Sequence, residues 1–248
     1  MDPLSLLNDL ARWVWQLFAS LGDELYQSLV EKNRYLYIVT GLKNTLLITV
    51  FAVLIGVFLG TIVALVKVAH AENPARLKFA NGLCSLYVTV IRGTPVVVQL
   101  MIMYYIILSP MNLSEITVAV LAFGVNSGAY VAEVVRSGIQ SVDRGQTEAG
   151  RSLGLSAKTT MVKIVFPQAL KNVLPAVGNE FIALLKETSV AGYIGIQDLT
   201  KGGDIVRSIT YLRFTPLILT ALIYLVIVVA LSALLTRFER RLHRSDYR

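Results

Sequence analysis

Asn44-Thr-Leu-Leu-Ile-Thr-Val-Phe-Ala-Val-Leu-Ile-Gly-Val-Phe-Leu-Gly-Thr-Ile-Val-Ala-Leu-Val66 contains no charged side chain, and it sits between Lys43 and Lys67. A bilayer core needs about 20 apolar residues in helix, so the run reads as a spanning helix. Residues 214–236 repeat the pattern between Arg213 and Arg237. Composition agrees with a chain dissolved in lipid. Of 248 residues, 55% are hydrophobic and only 16% charged, with a mean hydropathy of +0.63. Soluble domains are nearer a quarter charged. Intrinsic disorder is excluded by that hydrophobicity, and a disulfide scaffold by Cys84 being the single cysteine. The net charge of +7 points to basic loops on the cytoplasmic face of a membrane rather than to nucleic acid.

Three more spans follow outward from these two. Phe79 to Leu108 is apolar apart from Arg92, and Ile116 to Val135 is apolar apart from Glu133. Asn172 to Ile194 is weaker, because it holds Glu180 and the pair Lys186-Glu187. Charge placement favours counting it. With five spans, the segments 67–78, 136–171 and 237–248 share one side and carry three, six and five Lys or Arg. The other side carries eight, half of them in the N-terminal segment. With four spans the basic tail would be exported, against the positive-inside tendency. The expectation is an all-α polytopic membrane protein with five transmembrane helices. Its N-terminus lies outside and its C-terminus in the cytoplasm.

Residues 1–40 do not read as a cleavable signal peptide, which would open with basic residues. Leu7, Leu10, Val14, Leu17, Leu21 and Leu25 recur at three- and four-residue steps, with Asn8, Asp9, Arg12, Gln16, Ser20 and Asp23 opposite. That is an amphipathic helix lying in the interface, Trp13 and Trp15 at interfacial depth. Residues 41–238 then form the membrane domain and residues 239–248 a basic tail. There is no internal repeat and no linker.

The longest basic loop, residues 136–171, holds two short helices by its punctuation. Asp143 can cap a helix ending near Gly154, and Ser156 can cap a second running toward Pro167. Ala149 and Gly150 are small enough to let another surface approach. Glu148-Ala149-Gly150, then Gly154, Ile164 and Phe166-Pro167 at fixed spacing resemble the EAA loop of ATP-binding-cassette importer permeases. The family usually has a second alanine in place of Gly150 and often leucine in place of Phe166. Gly41-Leu-Lys-Asn-Thr45, Arg92-Gly-Thr-Pro95-Val-Val-Val-Gln99, Gly128-Ala-Tyr130-Val-Ala-Glu133 and Leu174-Pro175-Ala-Val-Gly178-Asn179-Glu180 resemble its polar amino-acid branch. The resemblance covers about residues 38–238. It implies a core of two permease chains, identical or homologous, a pair of cytoplasmic ATPases and an extracytoplasmic solute-binding protein. Glu148, Ala149, Gly150 and Gly154 would couple to the ATPase. ATP and its magnesium would sit on that partner, and this chain would bind no cofactor itself. Independently, the phosphate-binding pattern Gly-x4-Gly-Lys-Ser/Thr does not occur in the sequence.

Polar groups at membrane depth are costly and usually functional. Glu180 lies about nine residues into its span, roughly 14 Å deep at 1.5 Å per residue. Asn126 lies at similar depth. Both could line a solvated pathway and receive a substrate ammonium; the alternative for each is a structural bond to neighbouring helices. At the break Arg92-Gly-Thr-Pro95, Thr94 can be an N-cap with Pro95 at the first helical position. A half-helix starting there would turn its positive end toward a substrate carboxylate, with Arg92 nearby and Gln99 facing the same cavity. The alternative is a tolerated kink. Glu133 and Arg136 should pair at the membrane edge, and Lys186-Glu187 should mark an outer helix end. His70 and His243 belong to basic cytoplasmic segments, and no residue spacing suits a metal. The expected activity is import of a polar amino acid, without catalysis by this chain. A proton-coupled secondary transporter and an intramembrane enzyme are the rival classes; the first would not need the loop, and the second lacks a nucleophile or metal.

Overall fold

The computed structural model describes residues 20–243. Most of the amphipathic stripe expected in the first 40 residues, including Trp13 and Trp15, lies outside them. Residues 20–29 are helical, and Leu21 and Leu25 are exposed there. Thr215 donates a hydrogen bond to Glu24, and the buried Arg34 donates to the Gln27 carbonyl at 2.6 Å. The described residues contain helices and no strand.

The helices are α1 (Tyr35–Glu72), α2 (Lys78–Gly93), α3 (Val96–Ile102), α4 (Glu115–Gln140), α5 (Arg144–Ser152), α6 (Ala157–Thr160), α7 (Phe166–Glu187), α8 (Leu199–Thr210) and α9 (Thr215–His243). A π-turn segment, Met103–Ile107, prolongs α3, and another, Met161–Val165, joins α6 to α7. The stretch Glu31–Glu72, Glu115–Gln140 and most of α9 are long and apolar enough to cross a membrane; α2 with α3 is a fourth candidate, bent by 111°. The stretch Phe79–Leu108 is therefore two pieces, because Thr94 and Pro95 interrupt it. α7 has the length but not the apolarity, for it carries Lys171, Asn172, Asn179, Glu180, Lys186 and Glu187. It also starts earlier than Asn172 and ends at Glu187, with a 3₁₀ turn over Thr188–Ile194.

α1 and α4 form the central pair. Lipid offers no hydrophobic drive between helices, so close backbone approach has to hold them. Gly56 and Gly60 on α1 face Ser127 and Gly128 on α4, and Gly124 on α4 faces Ile55 on α1. A Cβ on Gly56 would come within 2.6 Å of Ser127 Oγ, and one on Gly60 within 2.7 Å of the Gly128 carbonyl. One apolar cluster packs Ile48, Ala52, Leu100, Phe123, Leu184 and Ile194. A second packs Ala64, Val131, Val135, Val165, Ala169 and Val173. Along α4 and α7 the polar residues Asn126, Ser127 and Glu180 fall between these clusters.

The sequence reading did not contain α8. Asp198 caps it, accepting from the Thr200 and Lys201 amides at 2.9 and 3.3 Å. It packs on the opening turns of α1, where a Cβ on Gly41 would strike the Asp198 carbonyl and one on Gly202 the Tyr37 carbonyl. The Leu199 amide donates to Thr45 Oγ1 at 3.0 Å. α9 packs its inner side on α7 and α8 and exposes Ile218, Leu222, Leu225, Val226 and Val229.

Candidate substrate pathway and coupling loop

α4 gathers the membrane residues that the sequence singled out. Asn126 is 2% exposed. Its Nδ2 donates to Gln99 Oε1 at 2.9 Å, while its Oδ1 has no partner. A buried carbonyl of that kind ordinarily finds a donor. The next residue, Ser127, donates to Glu180 Oε1 at 3.5 Å. One turn on, the Tyr130 ring lies 5.3 Å from the Arg92 guanidinium, a cation–π distance. Arg92, Gln99, Asn126 and Glu180 thus converge on one stretch of α4, through contacts with Ser127 and Tyr130 that the sequence reading passed over. Both carried a legible signal, being polar residues inside an apolar span.

Thr94 and Gln99 occupy their places differently from expectation. Thr94 ends α2 rather than capping α3. Its hydroxyl donates to the Val90 carbonyl at 2.8 Å, and no α3 backbone amide reaches its side chain. Gln99 folds back across the break. Its Nε2 contacts the Ile91 carbonyl at 2.7 Å, the Thr94 carbonyl at 3.0 Å and Thr94 Oγ1 at 2.8 Å. The carbonyls at the end of a helix have no intrahelical donor, and Gln99 supplies one. Its oxygen then positions Asn126.

Toward the loop end of α4 Glu133 accepts from Arg136 Nη2 at 2.7 Å, as the spacing predicts. It also meets Lys67 at 3.5 Å, which ties α1 to α4. Beyond them the loop has the expected form. Asp143 accepts from the Gly145 amide at 2.6 Å, and Ser156 accepts from the Thr159 amide at 3.1 Å. Gly154 sits between at φ +80°, where a Cβ is disfavoured. Glu148 and Ala149 are exposed. Gly150 is turned inward: a Cβ there would meet Thr160 Cγ2 at 2.8 Å and Ile164 Cδ1 at 2.9 Å. The room it leaves is filled by this chain's own α6 and π-turn segment, not offered to a partner. Leu153, 81% exposed, is the most exposed of the apolar side chains that the loop presents to its surroundings, with Val162 next at 57%.

At the opposite end, a pocket of about 440 Å³ has Tyr193, Asp198, Lys201, Asp204 and Arg207 among its lining. Burial raises the Asp198 carboxyl above the ordinary aspartate range, against the lowering pull of the Thr200 and Lys201 amides. Arg207, then Lys201, hold Asp204 below that range. Among the described residues no cluster of His, Cys, Asp or Glu could hold a metal ion.

The family described as "binding-protein-dependent transport system inner membrane component" matches residues 56–244. A putative glutamine transport system permease protein of Rickettsia bellii is 37% identical over 211 residues, covering 84% of this chain and 94% of its own. The arginine transport system permease protein of Bacillus subtilis is 36% identical, covering 85% and 94%. A crystal structure of an amino acid ABC transporter with histidines superposes with a TM-score of 0.77 at 46% identity, over 83% of this chain and 94% of that one. The MetNI methionine ABC transporter, at 20% identity and a TM-score of 0.70, shares the fold.

Proposed function

Because the chain belongs to the binding-protein-dependent transport system inner membrane components, we propose that it is the membrane permease subunit of an ATP-driven importer for polar amino acids. Substrate reaches it from an extracytoplasmic binding protein and leaves into the cytoplasm by alternating access. The relatives named for glutamine and arginine transport, and the amino acid transporter at 46% identity, support the substrate class. One observation in the chain carries the reading: Asn126, Ser127 and Glu180 lie between two apolar clusters, and Asn126 keeps an unpartnered carbonyl. An ammonium donates to such a carbonyl and to a carboxylate, and Arg92 beside Tyr130 is the cation available to the substrate carboxylate. Thr94 and Gln99 act by holding the helix break that brings Arg92 and Asn126 together.

Two permease chains enclose the pathway, since five helices are few to surround one. α7 crosses as the fourth span, with residues 1–40 on the outer face, residues 41–238 as the membrane domain and the basic tail 239–248 in the cytoplasm. A pair of ATPases holds ATP and magnesium and docks on α5 through Glu148, Ala149 and Leu153. Gly150 and Gly154 give that helix its shape. The charged face of α8 meets the binding protein.

Glu180→Gln tests the pathway. In reconstituted vesicles with binding protein and ATPase, KM for glutamine or arginine should rise about tenfold or more, the loss of one charge-assisted contact. Normal assembly with wild-type kinetics would remove Glu180 from the pathway.

A further inference from the structure

Where α5 leaves the membrane domain, a second pocket of about 500 Å³ opens between the end of α1, the end of α4 and the base of α5. Its polar lining comes from Glu72, Gln140, Arg144 and Thr147; Val68 and Val165 contribute apolar floor. The volume lies within the range of about 300–1,000 Å³ typical of small-molecule sites. Glu72 is the last residue of α1. A carboxylate there faces the negative end of the helix dipole, which costs stability. Among the described residues no ion pair engages Glu72 or Arg144, and both are exposed. Gln140 Oε1 accepts from Arg136 at 2.7 Å, which leaves its amide nitrogen as a donor. The pocket therefore carries one anion, one cation, a donor and an apolar floor.

We propose that this pocket binds a zwitterion, a free amino acid on the cytoplasmic side, with its ammonium on Glu72 and its carboxylate on Arg144. The proposal rests on the importer reading above, which puts this end of the molecule in the cytoplasm. Arg144 and Thr147 belong to α5, whereas Glu72 belongs to α1. An occupant bridging them fixes the coupling helix against the membrane domain, so accumulated product slows its own import. A ligand restrains a moving element only by binding one of its positions more tightly, and a bridge across two elements does so.

The test uses the full complex with its ATPase and binding protein in vesicles of phosphatidylglycerol, loaded or not with millimolar glutamine. Initial uptake of labelled external glutamine is the readout. Internal glutamine should lower wild-type uptake about fivefold or more, a coupling of ordinary size. Glu72→Gln and Arg144→Gln, both on exposed side chains, should each abolish that inhibition and leave uptake into empty vesicles unchanged. Inhibition that persists in both variants, or is lacking in the wild type, overturns the proposal. Phosphatidylethanolamine, a zwitterionic lipid, is added in a separate arm. If it slows empty wild-type vesicles and Glu72→Gln relieves this, the occupant is a lipid headgroup and the free amino acid is wrong. Absence of uptake by every variant and by the wild type would instead defeat the importer reading, and this proposal with it.

Discussion

Gln99 shows how one side chain can hold a break that lipid would otherwise punish. Its amide serves three acceptors at the end of α2 and its oxygen anchors Asn126. Gln99→Leu leaves the buried Asn126 amide without its acceptor and the Ile91 carbonyl without its donor, at about 1–3 kcal/mol for a buried group. The purified protein should melt several degrees lower in detergent; a wild-type Tm would show that the break holds itself. Asp198, fully buried at the start of α8, answers to pH. Its raised pKa means that the folded state favours the protonated acid. Its contribution to stability is therefore whole below the ordinary aspartate value, about pH 4, and is lost as pH rises through the raised value. Asp198→Asn keeps a cap acceptor and should flatten that part of the Tm-versus-pH curve. Asp198→Ala should also cost about 1 kcal/mol from the lost cap. An unchanged curve in the Asn variant would remove Asp198 as its source.

At the scale of elements, the coupling loop was the most legible part of the chain. Asp143, Gly154 and Ser156 declare their roles locally, because a cap or a positive φ depends on a few neighbouring atoms. Which side Gly150 faces depends on Thr160 and Ile164, placed by a turn that sequence spacing does not resolve. α8 was illegible for the same reason in stronger form. Lys201, Asp204 and Arg207 dilute its apolar pattern, and its burial comes from Gly41 and Gly202, some 160 residues apart in the chain. Similarly, Glu180 and Asn126 were visible as polar residues at depth, but the bonds that join Ser127 to Glu180 and Gln99 to Asn126 cross between helices. Two substitutions separate the faces of α5. Gly150→Leu overlaps α6 and should lower both Tm and ATPase association in a pull-down. Leu153→Ser, on an exposed side chain, should leave Tm unchanged and reduce the pull-down alone. Equal ATPase recovery with Leu153→Ser would exclude that side chain from the contact.

For the whole molecule, the G-x3-G faces of α1 and α4 decide whether there is a membrane domain at all. Gly60→Leu forces the backbone of α1 off Gly128 and Ala132, and overpacking costs about 1–3 kcal/mol or more. Membrane-inserted protein should remain, but the helices should become open to protease in a way that wild-type chains are not. Equal protease resistance would show that the pair is held elsewhere. Orientation is a separate matter: on the five-span reading fourteen basic residues fall on one side and eight on the other, which predicts a cytoplasmic C-terminus. A reporter fused after Arg248 should be reached only from the cytoplasm.

The helical backbone that starts at Ala157 does not stop at the membrane: it passes through the π-turn segment and continues to Glu187. Thr160, which touches Gly150, and Glu180 are then two points on one continuous helical path, about 30 Å of helix apart at 1.5 Å per residue, with Pro175 between them. Moving as one body, such a path is a lever. A tilt of about 6° at its foot sweeps the Glu180 end through roughly 3 Å, the length of a hydrogen bond. Under the proposed import cycle no relay of small side-chain adjustments would be needed between ATPase and substrate, because a stroke taken up at the foot would arrive at the carboxylate as a change of reach.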